Sequence, residues 1–86
     1  MEFEFSIHAL ERMQFRGISE DDVQEVLKNF DSAINQDTDV MIFSKILIES
    51  NKPWLYRVFV NTAKRPFLVI TVYRTSKIEK YGYQIQ

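Results

Sequence analysis

The sequence predicts an α+β domain: two N-terminal helices packed on one face of a mainly antiparallel sheet of four to five strands, in the order α–α–β–β–β–β. Three observations predict it. Residues 5–28 carry two capped helix starts with apolar residues at helical spacing. After Asn29 the texture changes to β-branched and aromatic runs. The segments between those runs are short and turn-prone. The 86 residues make one domain, residues 1–86, with room for one core and one site, because a chain this short buries only about 60% of the surface it exposes unfolded.

The two helix starts are written alike. Ser6 caps the first, with Phe5 before it and Leu10 at the fourth helical position; Ser19 caps the second, with Ile18 and Val23 in the same places, so each carries a hydrophobic staple. Gly17 suits the left-handed residue that ends a helix, so a helix over Ile7–Arg16 turns sharply into one over Glu20–Lys28. At 100° per residue Ile7, Ala9, Leu10 and Met13 share the apolar side of the first helix. Val23, Val26, Leu27 and Phe30 form the buried stripe of the second, and Glu20, Asp21 and Asp22 complement its N-terminal dipole.

Four segments then read as strands: FDSAINQ, VMIFSKILI, WLYRVFVN and PFLVITVY, separated by DTD, ESNKP and TAKR. The last two strands make a hairpin, and PFLVITVY is apolar at nearly every position, which places it centrally in the sheet. Trp54, Tyr56 and Phe67 are expected in the core. KYGYQIQ, at residues 80–86, is either a last short edge strand or a loose end.

A net charge of −1 conceals a division: residues 1–50 hold four bases against eleven acids, and residues 51–86 hold seven against one. The two halves either neutralise each other across the fold or leave a basic surface for phosphates. No apolar run approaches the ~18 residues a membrane span requires, the acidic start MEFEF has no basic leader region, and the chain has no Cys. These features favour a cytoplasmic protein without a disulfide framework. One His and no Cys supply no structural zinc set, so neither metal nor cofactor is expected.

Two clusters carry chemistry. His8, Arg12 and Arg16 form one stripe on the first helix, beside its apolar side; Glu11 is off this stripe, and no acid of the helix stands at i±4 to His8 or at i±3 or i±4 to Arg16. That pattern calls for an anionic partner, which is either a carboxylate elsewhere in the fold or a phosphate. The second cluster is the strand end Tyr73, Arg74, Thr75, Ser76, Lys77, where a phenol, a guanidinium, two hydroxyls and an ammonium could donate to phosphate oxygens.

HALERMQFRGISEDDV together with VITVYRTSKIEKY resembles a family of small bacterial proteins of unassigned function, marked by His, Arg-Met four and five residues on, and Arg-Gly-Ile-Ser. That family is grouped with the barnase–EndoU–colicin–RelE ribonuclease folds, many of them toxins of toxin–antitoxin pairs. The resemblance implies a metal-independent ribonuclease and matches at His8, Arg12, Arg16, Gly17, Tyr73 and Arg57; the chemistry of the two clusters then makes His8, Arg12 and Tyr73 the expected catalytic residues, and Arg16, Arg57, Arg74 and Lys77 the residues expected to bind RNA phosphate. In that scheme His8 is base or acid, Tyr73 is the second proton-transfer group with its pKa lowered by Arg74 or Lys77, and the first helix faces residues 73–77 across an open groove. RNA is then the expected partner. The alternative is a non-catalytic module whose basic half grips nucleic acid, an acidic segment such as an antitoxin tail, or the acidic half of a second copy in a homodimer.

Overall fold

The computed structural model describes residues 2–82. Its elements are β1 (Phe3–Phe5), α1 (Ile7–Arg16), α2 (Glu20–Lys28), β2 (Ser32–Asn35), β3 (Val40–Glu49), β4 (Lys52–Asn61), β5 (Phe67–Thr75) and a 3₁₀ turn over Ile78–Tyr81. The expected α+β architecture is present, with both helices on one side of a single five-stranded sheet in the order β1-β5-β4-β3-β2.

Both helices are bounded as their caps dictate. The Ser6 hydroxyl accepts from the Ala9 N–H, and Ser19 and Asp22 form a reciprocal capping box at the start of α2. At the end of α1 the Gly17 N–H donates to Gln14 and the Ile18 N–H to Met13, the double bond of a Schellman turn. Gly17 stands at φ 68°, the left-handed conformation that a residue with a Cβ adopts only at a cost.

Three features depart from the sequence expectation, besides Phe30, which lies past the end of α2 and is 43% exposed instead of buried with Val23, Val26 and Leu27. The first is β1, which runs parallel to β5 with Phe3 opposite Phe67 and Phe5 opposite Val69, making the sheet mixed and leaving β4 rather than β5 at its centre. A three-residue strand with a glutamate in its middle has no local signal; it exists because it covers the edge of β5. The second is the rotation of α1. Ala9 and Met13 are buried, whereas Ile7 and Leu10 are exposed. The helix is turned by its anchors on the same β5 edge: beyond the reach of β1, Ser6 donates its N–H to the Val69 carbonyl and Arg16 Nη1 donates to the Val72 carbonyl at 2.6 Å. The third is the C-terminal segment, where residues 78–81 form a 3₁₀ turn and not an edge strand; residues 83–86 of that expectation lie outside the described residues.

Strand register sorts the sheet residues between its two faces. Tyr56 pairs with Arg74 and Val58 with Val72; Val58, Val72 and Tyr56 belong to the core cluster with Ala9, Met13, Val23 and Val26, so this set faces the helices. Arg57 pairs with Tyr73, Phe59 with Thr71 and Ile42 with Phe59, and these occupy the opposite face. Among the described residues no α-helix covers that face; the 3₁₀ turn brings Tyr81 onto it, against Tyr73 and Arg57.

Candidate functional site

The open face carries one organised polar cluster. Adjacent central strands place Arg57 of β4 directly opposite Tyr73 of β5, and Arg57 Nη1 donates to the Tyr73 hydroxyl at 2.6 Å. Tyr81 lies over both: its ring centroid is 4.7 Å from the guanidinium carbon, and its hydroxyl accepts from that of Tyr73 at 3.2 Å. Phe59 completes the frame, with its ring 5.9 Å from that of Tyr73 and 5.7 Å from the guanidinium. Half-buried and held on rigid strands, Arg57 has five N–H donors, more than the two phenol oxygens beside it take up.

The two phenols are driven apart electrostatically. Burial, and after it the hydrogen bond to Tyr81, raise the Tyr73 pKa above the ordinary phenol value. The hydrogen bond from Tyr73, reinforced by the charges of Lys80 and Arg57, lowers that of Tyr81. The lowering of Tyr73 expected from Arg74 or Lys77 does not occur. Arg74 is on the helix side of the sheet, because one step along a strand reverses the side chain, and the Lys77 side chain is exposed beyond the strand end.

The remaining sequence candidates are distributed elsewhere. Arg74 is tied into a second network, with Nη1 donating to Glu49 at 2.7 Å and to the Tyr56 hydroxyl at 3.0 Å, and with its guanidinium 5.0 Å from the Trp54 ring. Tyr56 also donates to Glu49, and burial followed by that bond pushes its pKa up to about 12. Arg16 is committed to the Val72 carbonyl. His8 and Arg12 are exposed on the outer side of α1, where Arg12 Nε donates to His8 Nε2 at 3.4 Å. The groove expected between α1 and residues 73–77 is therefore not formed: His8 and Arg12 stand on the helix side of the sheet and Tyr73 on the other. Tyr81 was absent from the sequence candidates; it stands eight residues after Tyr73, at a distance bridged only by the turn geometry.

No group of His, Cys, Asp and Glu among the described residues is arranged to hold a metal ion. A family model described as Domain of unknown function (DUF4258) matches residues 5–74, from the last residue of β1 almost to the end of β5. No curated protein and no solved structure matches the chain.

Proposed function

The chain belongs to the DUF4258 family of domains of unknown function, and from the open face of its sheet we propose that it binds single-stranded RNA and cleaves it without a metal. One observation carries this reading: a half-buried guanidinium framed by two mutually hydrogen-bonded tyrosines on the face that no α-helix covers. Arg57 holds the scissile phosphate and neutralises the charge that grows on it. Phe59 and the tyrosine rings offer stacking surface to unpaired bases. Tyr81, the more acidic phenol, acts in its ionised form: its phenolate oxygen takes the proton of the 2′-hydroxyl as that oxygen bonds to phosphorus. Tyr73, the less acidic one, delivers a proton to the departing 5′-oxygen as the P–O bond breaks, and their shared hydrogen bond returns the proton from Tyr81 to Tyr73. The products are a 2′,3′-cyclic phosphate and a free 5′-hydroxyl. The resemblance of residues 8–23 and 69–81 to a family grouped with the metal-independent ribonuclease folds supports the same reaction class.

The test is cleavage of a 5′-labelled single-stranded RNA in EDTA by the parent protein, Arg57→Ala, Tyr73→Phe and His8→Ala, each checked for folding by circular dichroism. The expected result is cyclic-phosphate product from the parent and His8→Ala, and none from the other two. Binding that needs Arg57 but yields no product would assign a binding module, and loss of cleavage in His8→Ala with the fold intact would move the chemistry to α1.

A further inference from the structure

Tyr81 reaches the open face of the sheet on a 3₁₀ turn whose backbone hydrogen bonds are local. The turn has no side-chain cap at Lys77; Lys80 N–H donates to Lys77, Gly82 N–H to Glu79, and Lys77 N–H to the Thr75 hydroxyl. Lys77, Glu79 and Lys80 are exposed, whereas Ile78 is 1% exposed. Ile78 lies outside the core that joins the helices to the sheet, and so does Leu55. Leu55 stands two residues before Arg57 on β4 and therefore shares its open face, yet it is 0% exposed.

Two spacings agree. In a 3₁₀ turn residues i and i+3 point the same way, about 6 Å apart along the axis, so Ile78 and Tyr81 face one side. In a strand residues i and i+2 share a face, about 7 Å apart, as Leu55 and Arg57 do. The chain leaves β5 at Thr75, opposite Leu55, and the turn runs back until the Tyr81 ring lies 4.7 Å from the Arg57 guanidinium and its hydroxyl meets Tyr73, opposite Arg57. With Tyr81 on Arg57, the matching repeat sets Ile78 on Leu55, which accounts for the burial of both.

We propose that Ile78, seated on Leu55, is the positioning residue of the RNA site: it holds the 3₁₀ turn on the sheet and so sets the Tyr81 hydroxyl against Tyr73 and the Tyr81 ring over Arg57. Ile78 touches no substrate and acts through Tyr81, so the proposal rests on the reading of Tyr81 as the base and extends it. The polar ties of Tyr81 do not suffice, because water competes for a hydroxyl at the surface and RNA phosphate for the guanidinium. The apolar contact has no such competitor. Truncating Ile78 frees the turn and leaves Arg57 and Tyr73 together, since their contact is between neighbouring strands.

The experiment compares the parent, Ile78→Ala, Ile78→Val, Tyr81→Phe and Ile78→Ala combined with Tyr81→Phe, each checked for folding by circular dichroism. Ultraviolet titration of the phenols needs no RNA. The first phenol to ionise in the parent is Tyr81, which faces Tyr73 of β5, Arg57 of β4 and Lys80 of its own turn, and Tyr81→Phe removes that step. Ile78→Ala is expected to move the step up towards the ordinary value near 10. Ile78→Val, which loses one methylene and keeps the fold, moves it part of the way. In RNA cleavage Ile78→Ala lowers kcat at least about tenfold, whereas in the Tyr81→Phe background the same substitution changes it by less than about twofold, because both act through one hydroxyl. A first step that stays in place in folded Ile78→Ala, or a loss of kcat of equal size in both backgrounds, would overturn the positioning role. Parental cleavage by Tyr81→Phe, or none by the parent, would reject the chemistry read for Tyr81, and the titration would still decide whether Ile78 places it.

Discussion

Replacing Tyr56 with Phe removes one hydroxyl from the network that closes the helix side of the sheet, and its effect on stability reverses sign with pH. The Tyr56 side chain is fully buried, donates to Glu49 and accepts from Arg74 Nη1 at 3.0 Å. Near neutral pH the variant loses hydrogen bonds to charged partners. Glu49 and Arg74 keep their own 2.7 Å contact and are 37% and 25% exposed, so water and each other absorb part of the loss and the cost is about 1 kcal/mol. Above pH 10 the balance changes. The folded-state pKa of Tyr56 is raised to about 12, whereas the unfolded chain releases that proton near 10. A raised pKa means that the folded state holds the proton, so the stabilisation is complete below pH 10 and drains away between pH 10 and 12, at roughly 1.4 kcal/mol per pH unit and to a ceiling of about 2–3 kcal/mol. Phe carries no such proton. The parent is therefore expected to exceed Tyr56→Phe by about 1 kcal/mol up to pH 10, to match it near pH 11 and to fall below it beyond. Urea denaturation followed by the fluorescence of Trp54, the single tryptophan, measures this at pH 7, 9, 10, 11 and 11.5. A difference between the two proteins that stays constant across the series would refute the placement of Tyr56 as a buried, protonated donor.

Two further substitutions separate backbone and edge roles from site roles. Gly17→Ala forces a Cβ into a left-handed residue at φ 68°; the nearest atom to that Cβ is Arg74 Nη2 at 3.8 Å, an ordinary contact, so the cost is the backbone's alone, about 1–2 kcal/mol, read as a fall in melting temperature by scanning calorimetry. Arg16→Met takes the guanidinium from the Val72 carbonyl and is expected to lower stability by about 1–2 kcal/mol while leaving RNA affinity at its parental value in a filter-binding assay, in contrast to Arg57→Ala.

What the sequence by itself determined is what a few neighbouring residues can determine. The caps at Ser6 and Ser19, the left-handed Gly17 and the β-branched runs of β3, β4 and β5 are satisfied by contacts within a turn or by propensity, and each is legible without the rest of the chain. It also supplied Arg57 and Tyr73 as separate candidates, from residue type and resemblance. Their meeting is another matter. Whether two strand residues touch depends on register and parity: Tyr73 reaches Arg57 while Arg74, one residue on, reaches Glu49 across the sheet, and a one-residue slip would exchange them. The same holds for α1. Its composition offers Ile7 and Leu10 to the core, but the unpaired edge of β5 draws Ser6 and Arg16 inward and turns those apolar residues, with His8 and Arg12, to the outside. β1 and Tyr81 acquire their roles only from the strand each packs against. Tertiary structure alone decided which side chains share a face, because the free energy that aligns strands and rotates a helix comes from burial and from backbone groups far apart in the chain.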